Sequence, residues 1–172
     1  MSIEDPIEDR RQTPDRRQTP QELEVSEERR QKTERRETYG INILLAEDDP
    51  AVRTVTTRLL QRSGYTVEAF ENAQELRARL AVLKLGEATV ILTDKDVPKV
   101  DDGIGVLKDV RANELTKDLA VLVYTGRVSD DVKQNVEREG GVFIEKPFKI
   151  EELSEKIKKA YLDSQAKVGS PE

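Results

Sequence analysis

Four apolar runs in this chain each end in residues whose types can do chemistry. Glu47, Asp48 and Asp49 follow the run 41–46, and Asp94 and Asp96 follow 88–93. Thr125 and Gly126 follow 119–124, while Lys146 and Pro147 follow 142–145. Taken singly, each has a plain structural account. Acids such as Glu47 and Asp48 favour a helix N-terminus, a hydroxyl at a strand end bonds backbone, and a lysine is usually solvated. Asp94 is harder to dismiss, because a carboxylate at the end of a buried strand costs desolvation unless something pairs with it. Several carboxylates brought together repel, and one pKa rises. A divalent cation relieves that repulsion. The chain contains no histidine and no cysteine, which excludes imidazole bases, Ser–His pairs, thiol catalysis and thiolate metal sites. Any metal is held by oxygen, which favours Mg²⁺ or Ca²⁺ over zinc. Mg²⁺ takes few carboxylates and seeks phosphate oxygens; Lys146 and Thr125 could serve the same oxygens as a point charge and a donor.

These residues do chemistry together only if the chain brings its strand ends to one edge. The apolar runs are short and continuous, and helical patterns separate them. Asp49 and Pro50 mark a helix start, with Val52, Val55, Leu59 and Leu60 as its buried stripe and Gly64 closing it. Residues 65–70 alternate like a strand. Asn72 with Glu75 reads as a capping pair. Helices are expected over 104–111, over 129–138 behind Ser129, and over 150–161. Five strands alternating with five helices, the strands apolar on both faces, imply a parallel sheet covered on both sides. Sites in such sheets form at the carboxyl ends of the strands.

The 172 residues are 35% hydrophobic and 37% charged, with a net charge of −6. The polarity is concentrated in residues 1–40, expected to be a disordered extension. It carries the repeat DRRQTP twice, over 9–20, too short to build a repeat fold. The folded domain is expected over 41–162, followed by a tail over 163–172. The acidic balance gives no general attraction to nucleic acid. No apolar run approaches the ~20 residues that span a bilayer, and nothing reads as a signal peptide. A cytoplasmic protein is therefore expected.

The set LLAEDDP, ILTDKDVP, VLVYTG and FIEKPF, in this order, resembles the receiver domain of two-component response regulators, over residues 41–162. The resemblance implies a flavodoxin-like, doubly wound α/β fold with strand order 2-1-3-4-5. It implies that Asp94 is the phosphoacceptor in a phosphorelay. Glu47, Asp48, Asp94 and the backbone carbonyl of Asp96 would hold Mg²⁺. Thr125 would be the switch hydroxyl, Lys146 the phosphoryl-contacting lysine and Phe143 the aromatic switch residue. The Lys146–Pro147 bond would be cis. The protein would be a stand-alone switch, assisting its own phosphorylation and dephosphorylation rather than acting as a classical enzyme. Its implied partners are a histidine kinase or phosphotransfer protein as donor, a downstream protein, and a second copy in a possible homodimer. The chain departs from the family pattern in KVDDG after Pro98, one residue longer than usual, and in Asp96.

Two other readings compete. A pseudo-receiver would keep the fold as an interaction module without phosphorylation. A phosphohydrolase of the haloacid dehalogenase type would use Asp94-Lys95-Asp96 as its Asp-x-Asp motif. That family carries the motif on its first strand, whereas here it follows the third.

Overall fold

The computed structural model describes residues 40–84, 87, 89–99 and 102–168. Residues 1–39 of the expected extension, with the DRRQTP repeats, lie outside the described residues. Five strands, β1 (Asn42–Ala46), β2 (Thr66–Phe70), β3 (Thr89–Asp94), β4 (Ala120–Thr125) and β5 (Val142–Glu145), form one parallel sheet in the order β2-β1-β3-β4-β5. Five helices connect and follow them: α1 (Pro50–Arg62), α2 (Ala73–Leu80), α3 (Asp102–Ala112), α4 (Asp130–Arg138) and α5 (Ile150–Val168). This is the doubly wound flavodoxin-like architecture expected above.

β1, β3 and β4 are central because they are apolar on both faces. Along β1, Ile43 and Leu45 join one core cluster with Leu60, Leu153 and Ile157, while Leu44 and Ala46 join the other with Leu76, Ile104 and Leu107. Alternation along each strand thus feeds two layers of helices. In-register pairing of Ala46 with Thr93, and of Asp94 with Tyr124, brings the ends of β1, β3 and β4 to a common edge.

Local signals set the helix starts. The Asp49 side chain accepts from the Ala51 and Val52 amides ahead of Pro50. Asn72 accepts from Glu75 N at 2.9 Å, and Glu75 reaches back to the Glu71 amide, one residue earlier than a standard capping box. Ser129 accepts from Val132 N. Gly64 adopts φ 94°, a left-handed conformation that ends α1 without a Cβ penalty.

Two expectations are corrected. The buried residues of α1 are Thr56 and Leu60; Val52 and Val55 are exposed, by 36% and 56%. Val55 lies one residue, about 100° of helix, from Thr56, and Val52 sits in the first turn. The last helix does not stop at Tyr161: it continues to Val168, through most of the expected 163–172 tail. Leu153, Ile157, Ala160 and Ser164 are all buried, so the inward stripe at spacings of three and four runs into that segment. Ser164 satisfies its hydroxyl on the Tyr161 carbonyl at 2.6 Å. Apolar spacing alone ends the helix at Tyr161 because the last buried member of the stripe is a serine, not an aliphatic residue.

Candidate functional site

Glu47, Asp48 and Asp94 converge beyond the ends of β1 and β3, with one carboxylate oxygen from each lying within 4.8 Å of the others. Glu47 is almost fully buried, Asp94 partly buried and Asp48 exposed. The loop that presents the first two is held by Arg53 from the first turns of α1. Its guanidinium donates to the carbonyls of Glu47 (2.6 Å) and Asp48 (3.1 Å). On the other side, the Gly103 amide donates to the Lys95 carbonyl at 2.9 Å, tying the start of α3 to the segment that follows Asp94. A Cβ at Gly103 would collide with the Asp94 carbonyl oxygen, so glycine permits this close approach.

Lys146 enters from the end of β5. Its ammonium donates to Asp94 Oδ2 at 2.5 Å and to Glu47 Oε2 at 2.9 Å. Burial pulls the lysine pKa down, but the bonds to Asp94 and Glu47 together outweigh it and leave the pKa above its ordinary value. Lys146 therefore stays charged. Burial is also the largest influence on Glu47; despite Lys146, it holds that carboxyl above the usual range. The peptide bond after Lys146 is cis, and so is Val97–Pro98.

Tyr124, the residue before Thr125, completes the cluster. Its hydroxyl donates to Glu47 Oε2 at 2.9 Å, and its ring face lies 4.4 Å below the Lys146 ammonium. Burial, followed by the negative charge of Glu47, raises the phenol pKa far above normal, so it remains a donor.

The donor set fits a hard divalent cation. The three carboxylates supply oxygen ligands only, one is buried and one is solvent-accessible, as suits an ion that retains water.

A match to the family described as the response regulator receiver domain spans residues 43–158. The chain belongs to that family. This receiver domain is 33% identical over 124 residues to "Chemotaxis protein CheY" of Pseudomonas aeruginosa, covering 70% of this chain and 96% of that protein. It is 29% identical over 118 residues to "DNA-binding dual master transcriptional regulator RpaA" of Synechocystis, covering 67% of this chain and 47% of that one. The chain thus spans about half the length, or less, of the transcriptional regulators it matches. Among solved structures it resembles the chemotaxis response regulator CheY4 of Vibrio cholerae, with a TM-score of 0.61, 26% identity, and coverage of 70% of this chain and 98% of the other. It is a receiver domain of two-component response regulators, a signalling switch of phosphorelays. No helix among the described residues is long and apolar enough to cross a membrane.

The other residues of interest in the receiver domain fall as follows. Thr125 is buried at the end of β4, its hydroxyl oxygen accepting from the Arg127 amide at 3.0 Å. The Asp96 amide donates to Asp94 Oδ1 at 3.1 Å, while its carboxylate pairs with buried Lys95 at 2.6 Å. Phe143 is half-buried and packs on the α3 side of the sheet. Sequence reasoning missed Arg53 and Tyr124. Tyr124 had one visible signal: a tyrosine inside an otherwise aliphatic strand needs a partner for its hydroxyl.

Proposed function

We propose that Asp94 accepts a phosphoryl group, with Glu47, Asp48 and the backbone carbonyl of Asp96 joining it to hold Mg²⁺. What carries this reading is the pairing of Lys146 with both Asp94 and Glu47, across the mouth of the three-carboxylate cluster. An Asp94 carboxylate oxygen forms a bond to phosphorus as the donor's bond to phosphorus breaks, and the donor leaves with that electron pair. The Asp96 amide, bonded to Asp94 Oδ1, orients the carboxylate for attack. Lys146 already lies against Asp94 Oδ2 and turns to the added phosphoryl oxygens. Thr125 uses its oxygen as acceptor for Arg127 N, which leaves its proton for a phosphoryl oxygen. When bound, Mg²⁺ supplies positive charge to the transferring oxygens, in keeping with catalysis by positioning and electrostatics.

The proposed donor is a histidine kinase or a phosphotransfer protein. The added charge shifts the domain between two packings, with Thr125 and half-buried Phe143 as the moving parts. The altered face, α4, β5 and α5, would meet a downstream protein or a second copy of the chain. The setting proposed is the cytoplasm.

Intact-mass measurement after incubation with acetyl phosphate and Mg²⁺ tests the chemistry. The expected result is a gain of one phosphoryl group that requires both Mg²⁺ and Asp94, and is lost in Asp94→Ala. If neither an adduct nor phosphate release is seen, phosphotransfer is ruled out and the fold serves as a pseudo-receiver.

A further inference from the structure

Glu47 is a buried carboxylate with a ligand's task, so something must fix its plane. Oε1 accepts from the Asp49 amide at 3.3 Å. Oε2 is shared by the Tyr124 hydroxyl and the Lys146 ammonium, both at 2.9 Å. These two donors differ in what the reaction asks of them. Lys146 also bonds Asp94 and, on the reading above, turns toward a phosphoryl group. The Tyr124 hydroxyl makes no bond to Asp94; its other acceptor, the Ala46 carbonyl, lies beside Glu47 and is more distant. The tyrosine is fully buried, its ring meets Phe148 edge-on at 5.9 Å, and its hydroxyl lies 3.4 Å from the Ala46 carbonyl. From β4 it reaches past β3 to the end of β1. Its ring face also attracts the ammonium above it.

We propose that Tyr124 is a positioning residue for the phosphoacceptor site. Its hydroxyl holds Glu47 in ligand orientation while its ring seats Lys146, so that Lys146 can leave Glu47 without Glu47 turning. This rests on the Mg²⁺ reading of the acid cluster. An aliphatic residue at this place would keep the strand apolar but would leave Oε2 to Lys146 alone.

Calorimetric titration with Mg²⁺ tests it, on wild type, Tyr124→Phe, Glu47→Gln and the double variant. Tyr124→Phe keeps the ring and removes one buried hydroxyl, and near-ultraviolet circular dichroism checks that it folds. Loss of a partner that orients a metal ligand typically weakens metal binding 10–100-fold, and about tenfold is expected here. In the Glu47→Gln background the same substitution should add nothing, because its effect runs through Glu47. Tyr124→Leu also removes the seat of Lys146. At saturating Mg²⁺ it should take phosphate from acetyl phosphate more slowly than Tyr124→Phe. The proposal is overturned if Tyr124→Phe binds Mg²⁺ within twofold of wild type, or weakens binding equally in both Glu47 backgrounds. A wild type that binds no Mg²⁺ sinks the metal reading, and this inference with it.

Discussion

Lys146 pairs with two of the three clustered carboxylates, so it must compete with Mg²⁺ for them. Two unit charges ~4 Å apart interact by about 1 kcal/mol in water and about 4 at the effective dielectric of a protein surface. Lys146→Met therefore has opposed effects on binding and on chemistry. Mg²⁺ affinity should rise, by about fivefold or more, because a positive charge has left the site. Phosphoryl uptake on Asp94 should slow by at least about tenfold, because the transferring oxygens lose their point charge. Calorimetry and a mass time course on the same sample separate the two; weaker Mg²⁺ binding in the variant would show that Lys146 organises the carboxylates rather than competing for them. Glu47, Asp48, Asp94 and Lys146 were legible in the sequence as a set, because each follows an apolar run and a parallel sheet brings those strand ends to one edge. Tyr124 was not, since its ring counts as one more apolar residue of β4 and its hydroxyl bonds a residue 77 positions away. Arg53 was hidden for a related reason: it acts on backbone carbonyls, which have no signature in residue type.

At the scale of elements, the site depends on how closely α3 approaches the end of β3. Gly103→Ala drives a Cβ into the Asp94 carbonyl, backbone against backbone, and no rotamer relieves it. Overpacking of this kind costs about 3 kcal/mol, which should show as a lower urea midpoint and slower phosphorylation together. A fall in stability with an unchanged rate would mean that α3 shifts without moving Asp94. The packing of α5 has a pH signature. The Tyr65 hydroxyl donates to the Ser154 carbonyl on that helix at 3.2 Å and shares a bond with the Ser154 hydroxyl at 2.7 Å; burial raises its phenol pKa, only partly offset by the side-chain bond. Above about pH 10 the unfolded phenol ionises while the native one keeps its proton. The native state then binds more protons, and stability falls as pH rises from that point toward the folded pKa. Tyr65→Phe lacks this loss. Wild type should exceed it by about 1 kcal/mol at pH 7, and the gap should shrink or reverse by pH 11; parallel urea midpoints at both pH values would show the phenol is not shielded. Strand positions and helix caps were readable because short-range rules govern them: apolar runs, and Asp, Asn or Ser before a helix. The outward turn of Val55 and the continuation of α5 through Ser164 were not, since both depend on where the helix lies over the sheet.

At the scale of the whole molecule, the acid cluster links metal binding to folding. Glu47, Asp48 and Asp94 come from two strand ends separated in sequence, so the unfolded chain has no such cluster and offers Mg²⁺ only scattered carboxylates. Glu47 is also buried at a cost, with its pKa held above the usual range chiefly by desolvation, and a cation beside it relieves that cost in the native state alone. A ligand that binds only the native state stabilises it by about 2.7 kcal/mol at a hundred times its dissociation constant. For a domain of this size that corresponds to roughly 10 °C in the melting midpoint. The midpoint should therefore climb with the logarithm of Mg²⁺ concentration, and the climb should flatten in Asp94→Asn, which removes one charged ligand. Ionic strength is a separate influence, because a chain of net charge −6 is stabilised by any salt that screens its self-repulsion. KCl matched in ionic strength provides the control: equal gains from KCl and MgCl₂ would reduce the effect to screening. A gain specific to Mg²⁺ and dependent on Asp94 would mean that metal binding and folding draw on the same strand ends that carry Asp94.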